Sequence, residues 1–214
     1  MISIIRMKAQ ENREKIWDNI LDQLDNMKES IEGKGALLYL SQRARQQDAS
    51  LFLHVIEPNT IGDFIIRELS NIQDITSIWA IHLMKPLFFP LPKDTEHLTR
   101  YTITTKVFPS RLSEVYETLV KQHPLDEVQM AYIAFTFHLF EESLIFSILA
   151  KDCNSVEKFV KKNLDIMPGV LGTHINTISK TKPLVSYKKW KEYALHHSIV
   201  PSWDTKNMIK NFQI

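Results

Sequence analysis

The chain is poor in the residues that much covalent and phosphate chemistry needs. It has one cysteine, Cys153, in 214 residues, which excludes an internal disulfide and a multi-thiolate zinc site. Five glycines, with no GxGxxG, P-loop or GxSxG pattern, argue against a glycine-rich loop cradling phosphate. Excess charge is missing too. With 26 Lys and Arg against 25 Asp and Glu, the net charge is +1, so no overall field draws the molecule to nucleic acid or an anionic membrane. The apolar stretch from Ser77 to Leu91 is interrupted by His82, Lys85, Pro86 and Pro90, short of the roughly 20 apolar residues that span a bilayer. Arg6 and Lys8 stand where a secretory signal would be apolar, so a cytoplasmic location and no membrane partner are expected.

What the chain does have is 44 % hydrophobic and 24 % charged residues, an ordinary globular composition, and a repeat. EPNTIGDFI (Glu57 to Ile65) and DCNSVEKFV (Asp152 to Val160) share one pattern 95 residues apart. The agreement extends over most of both halves. Trp17, Ile20, Leu21 and Leu24 fall on Leu112, Val115, Tyr116 and Leu119, one apolar helix face in each half. Ala36, Leu38 and Leu40 fall on Ala131, Ile133 and Phe135, and Leu51, Leu53 and Val55 on Phe146, Ile148 and Ala150, as strands. A second helix follows, with Asn59-Thr60 and Asn154-Ser155 as expected caps, and then a closing strand. The opening strand fits better at an offset of 96, Ile5 on Tyr101 and Met7 on Ile103, which suggests one residue inserted.

Each half therefore predicts strand, helix, strand, strand, helix, strand. That is an α+β fold of two tandem ferredoxin-like βαββαβ repeats, residues 1–92 and 97–183. A four-stranded sheet with both helices on one face leaves the other face bare. Pressing the two bare faces together gives an intrachain dimeric α/β barrel. Residues 184–214 form a locally basic, aromatic tail, in which Ser186 is expected to cap a helix carrying Trp190 and Tyr193. Lys188, Lys189 and Lys191 beside those rings could contact nucleic acid, but helical spacing favours packing of the rings onto a domain.

The segment Glu142 to Ile178 resembles the ligand-sensing C-terminal domain of Lrp/AsnC transcription regulators. Its apolar strand, acidic turn, helix with inward Phe and Val, Met167-Pro168-Gly169-Val170 and Thr173 match that pattern. The resemblance implies a dimeric α/β barrel and a small-molecule-sensing regulatory module, commonly for amino acids. On this reading it is expected to act without its own helix-turn-helix, since strand-like Ile2 to Lys8 opens the sequence. Homo-oligomers or a separate DNA-binding protein are the partners this implies.

On that reading the candidate ligand-binding residues are Asn59, Thr60, Asn154, Ser155, Gly169 and Thr173, with no cofactor, metal or catalytic residue assigned. The alternative is an enzyme, since dimeric α/β barrels also house monooxygenases and haem or tetrapyrrole enzymes, sirohaem decarboxylases among them. His54, His82, His138 and His174, on or near predicted strands, are then the acid/base or ligand candidates. None stands in an HxH, HxxH or HExxH arrangement, so a shared site would have to be built across strands.

Overall fold

A computed structural model describes residues 1–9, 13–46, 48–89, 95, 97–122, 128–136 and 143–197. The first half runs β1 (Ile2–Ala9), α1 (Arg13–Asp22), α2 (Leu24–Ile31), β2 (Gly35–Arg43), β3 (Asp48–Val55), α3 (Asn59–Phe64) with a π-helical turn to Leu69, and β4 (Ile75–Phe88). The second runs β5 (Thr99–Val107), α4 (Leu112–Lys121), β6 (Gln129–Thr136), β7 (Leu144–Ala150), α5 (Cys153–Asn163) and β8 (Val170–Pro183), followed by α6 (Tyr187–His196). No helix among the described residues is long and apolar enough to cross a membrane.

The strands close into one antiparallel barrel in the order β1-β3-β2-β8-β5-β7-β6-β4. Within each half the first and third strands are central, as in a ferredoxin-like sheet. Closure comes from hydrogen bonding at the edges. β2 pairs with β8, Tyr39 opposite Pro183, and β4 pairs with β6, Leu83 opposite Thr136. Each half thereby removes the other's open edges, which would otherwise invite aggregation.

Strand alternation sorts the side chains into three cores. Ile5, Met7, Leu51 and Leu53 point outward from the barrel to Trp17, Ile20, Met27 and Phe64 of the first helical layer. Ile103, Phe146 and Ile148 do the same with Val115, Leu119, Val156 and Phe159 of the second. Ile2, Ile4, Leu38, Phe52, Ile81, Leu83 and Ile145 point inward and meet Val185 and Trp190 of the C-terminal segment. Fully burying each such side chain is worth about 1.5–3 kcal/mol, so the inward face of the barrel carries a third apolar core.

The expected alignment of the halves needs two corrections. β2 and β6 both carry a bulge, between Leu37 and Tyr39 opposite Leu53–Phe52, and between Met130 and Tyr132 opposite Ile148–Ser147. Tyr39 therefore corresponds to Tyr132, and Leu40 to Ile133. Ile5 faces Leu51 just as Ile103 faces Phe146, so Ile5 matches Ile103 rather than Tyr101, and the single-residue insertion expected there is longer. Both errors are shifts of two residues, which leave every side chain on its original face and so are invisible to alternation.

The caps differ as well. α5 is capped by Asp152, whose Oδ1 accepts from Ser155 N at 2.8 Å, while Asn154 lies within the first turn. At α3 the cap position is Pro58, already helical, and no side chain caps the helix. Ser186 caps α6 as expected, accepting from Lys189 N at 3.3 Å. Of the Pro86 to His97 linker, residues 90–94 and 96 lie outside the described residues. Its start continues β4 through a kink at Lys85, which has φ 47°.

Candidate functional site

A cavity of about 900 Å³ occupies the barrel, within the range of sites that enclose a drug-sized ligand. One wall is aromatic. Phe52 lies 5.4 Å from Tyr132 and 6.4 Å from Phe88, and Trp190 of α6 stands edge-on to Phe88 at 5.6 Å, all between ring centroids. These are the separations of attractive offset and edge-to-face pairs.

Among the described residues, the charged groups lining the cavity are all arginines: Arg6 of β1, Arg43 of β2 and Arg100 of β5. Each is placed by alternation, since Arg6 shares the inward face of β1 with Ile2 and Ile4. Arg6 is only 7 % exposed, and its guanidinium lies 5.8 Å from the Trp79 ring centre. Arg43 forms an ion pair with Asp48, with Nε donating to Oδ2 at 2.7 Å and Nη2 reaching the same oxygen, and Nη1 donates to Asn176 Oδ1 at 3.3 Å. Arg100 donates to Ser147 Oγ at 3.1 Å and lies 5.3 Å from the Tyr39 ring centre. Burial pushes the Tyr39 phenol above its ordinary pKa, against the opposing pull of Arg100, so at neutral pH it stays an O–H donor.

α6 covers one end of the barrel. Tyr193 Oη and His54 Nδ1 are 2.9 Å apart, and the His197 ring packs at a tilt against Tyr193, 4.3 Å between ring centres. His54 is lowered to a pKa of about 4, first by burial, then by the N-terminal ammonium and His197. The imidazole is neutral under ordinary conditions and serves as an anchor for the helix.

The structure does not gather the candidate histidines into a site. His54 is inward but held under α6. His82, beside Ser3 Oγ at 2.9 Å, stands opposite Ser3 on the helix-facing side of β1 and β4. His174 is exposed, and His138 lies outside the described residues. None of the three described histidines lines the cavity, nor does any cysteine, methionine or carboxylate among the described residues. Among the described residues lining the cavity, a haem iron would find only the phenol oxygens of Tyr39 and Tyr132 as aromatic side-chain ligands, a donor set that does not fit histidine ligation. Among the described residues no cluster of three or more His, Cys, Asp or Glu is placed to hold a metal ion.

The six candidate ligand-binding residues also stand apart from the cavity. Asn59 and Thr60 line a smaller, separate cleft of about 390 Å³ with Asp63 and Arg67. Asn154 is exposed at the start of α5, and both Ser155 polar groups are taken by Asp152. Gly169 makes a turn with φ +94°, and its carbonyl accepts from Phe108 N at 2.8 Å. Thr173 pairs with Thr105 in the sheet. The closing motif that suggested a sensing domain thus has a structural task, turning the chain into β8. The signal for the cavity was a charge flanked by apolar residues within a strand, as at Arg6 between Ile5 and Met7 in ISIIRMKA.

No family model matches the chain, and no curated protein matches it significantly. Solved structures do. A candidate monooxygenase from Lactobacillus acidophilus superimposes with a TM-score of 0.55 at 12 % identity, over 85 % of this chain and 95 % of that one. An anthrone oxidase-like protein gives 0.51 at 10 %, over 86 % and 94 %. A variant chlorite dismutase from Candidatus Nitrospira defluvii gives 0.53 at 13 %, over 84 % and 91 %. These neighbours carry enzyme descriptions, which overturns the expectation of an Lrp/AsnC-like sensor acting in transcription regulation. At such low identity they establish the architecture: the chain is a dimeric α/β barrel closed within one polypeptide.

Proposed function

We propose that the protein is an enzyme that oxidises or oxygenates a flat, conjugated organic substrate inside the barrel. The observation that carries this reading is a cavity of about 900 Å³ with aromatic rings on one wall and guanidinium groups on another. An amino acid would leave most of that space empty. The descriptions of the similar structures, monooxygenase and anthrone oxidase-like, support the reaction class.

The chain's own part in such chemistry is electrostatic. Guanidinium groups in a cavity of low polarity favour the ionised form of a bound enol or phenol, and the Tyr39 O–H can donate to the same oxygen. A substrate CH₂ made acidic by the neighbouring carbonyl loses a proton to give the carbanion. Dioxygen, the co-reactant, accepts its electrons as a C–O bond forms. Loss of hydroxide from the resulting peroxide anion leaves a carbonyl, so CH₂ and O₂ become C=O and water once the released proton is counted. The aromatic wall holds the substrate flat and keeps bulk water from the anion.

The test is oxygen uptake with a hydroxylated anthrone, against heat-unfolded protein and protein-free buffer because such compounds oxidise slowly alone. The reading expects one dioxygen consumed per carbonyl formed, at a rate proportional to folded protein. A rate equal to buffer across a panel of conjugated enols and phenols rejects it. A haemin titration runs in parallel, and stoichiometric binding with a shifted Soret band would move the assignment to tetrapyrrole chemistry.

A further inference from the structure

We infer that Arg100 is the specificity-determining residue of the barrel, selecting substrates with one anionic group at the end of a flat conjugated body. This rests on the reading of the barrel as a substrate cavity, and adds which chemical class it accepts. Arg43 has its charge matched by Asp48 inside the barrel wall. The described contacts of Arg100 are a neutral hydroxyl and the face of a ring. A guanidinium has five N–H donors in a planar fork, and among the described contacts the bond to Ser147 occupies one of them.

The surroundings of Arg100 complete an anion subsite. Thr102, the next cavity-facing residue on β5, and Ser147 of β7 bring hydroxyls beside the guanidinium. Tyr39 covers one face of the fork, which withdraws water from the cation and strengthens its demand for an anionic partner. The aromatic wall of Phe52, Phe88, Tyr132 and Trp190 carries no charge. A carboxylate, sulfonate or phenolate would be gripped by the planar fork, with the conjugated body against those rings. The counterpart of Arg100 in the first half is Ile2, since Ile2 faces His54 as Arg100 faces Leu149.

The experiment uses two fluorescent probes with one aromatic body, 1-anilinonaphthalene-8-sulfonate and its uncharged analogue N-phenyl-1-naphthylamine. The wild-type protein is expected to bind both, the sulfonate more tightly. Arg100→Gln should raise the Kd of the sulfonate about 10- to 100-fold and leave that of the neutral probe within about twofold. Arg100→Lys should restore part of the loss, and Arg111→Gln, a surface control, should change nothing. Near-ultraviolet circular dichroism and Tm check that each variant is folded. Parallel loss of both probes, or an unchanged preference for the sulfonate while the neutral probe still binds, overturns the inference and leaves the cavity reading intact. Failure of both probes to bind the wild-type protein overturns the cavity reading and this inference together.

Discussion

Acid should weaken the attachment of α6 in a pH window set by one residue. His54 has a pKa of about 4 in the folded protein instead of 6.5. Above pH 6.5 it is neutral in both folded and unfolded chains and contributes no pH dependence. As pH falls from 6.5 towards 4, the unfolded chain takes up a proton that the folded chain refuses, so stability declines, and the decline levels off below pH 4. The full shift corresponds to about 3 kcal/mol at most. His54 sits at the end of the barrel beneath a single helix, where water screens part of the penalty, so about 1–2 kcal/mol is the working figure. For a chain of this size that lowers Tm by about 2–8 °C. Thermal unfolding between pH 7 and 4 measures it, and the carbon-bound ring protons of His54 report its titration directly by NMR. His54→Gln should lack the step. Titration of His54 near 6.5, or the same step surviving in His54→Gln, refutes the argument.

Gly35 and Gly33 should respond unequally to alanine. A Cβ at Gly35 would stand 2.2 Å from the backbone oxygen of His54, which cannot move without breaking the β2–β3 pairing, so Gly35→Ala should cost about 3 kcal/mol or more by chemical denaturation. Gly33 has φ +72° and open space around its Cβ position, so Gly33→Ala should cost only about 1–2 kcal/mol of backbone strain. Equal effects would show that the close approach at Gly35 is absent. Arg43→Met leaves the buried Asp48 carboxylate uncompensated and should lose about 3–5 kcal/mol, with Arg43→Met/Asp48→Asn recovering a large part. No recovery would refute the pairing as the cause. Trp190→Ala removes a half-buried ring from Phe88 and should cost about 2 kcal/mol while weakening N-phenyl-1-naphthylamine. An unchanged probe affinity would place the apolar subsite elsewhere.

The fold was legible because duplication and burial both write periodic patterns. Ile5 and Met7 on one strand, and Val115 and Leu119 on one helix, announce their elements whatever the partner strand. Register was not legible, because sliding β2 by two residues keeps Leu40 facing the helices and changes only which residue of the other half it matches. The site was harder still. Arg6, Arg43 and Arg100 lie on three strands, and Phe52, Phe88, Tyr132 and Trp190 on four further elements, so no local spacing joins them. Only barrel closure does. Histidines drew attention by their chemistry, yet His82 is turned away from the cavity by the same alternation that turns the arginines into it, and His174, although on the face of Thr104, is exposed and does not line it. Asp152 was overlooked as a cap because the matched Asn-Ser and Asn-Thr pairs two residues later are equally good capping types, and only backbone angles decide between them.

Closure of the barrel within one chain has a consequence for how such a cavity can diversify. In a barrel built from two identical subunits, every inward residue appears twice, related by the twofold axis, so any substitution is made on both walls at once. Here Arg6 faces Ser50 where its counterpart Thr104 faces Ile145, and Phe52 faces Ile4 where Ser147 faces Thr102. Each wall position mutates alone. A substrate with unlike ends therefore has one best pose instead of two equivalent ones, and selection can adjust the polar end without disturbing the aromatic one.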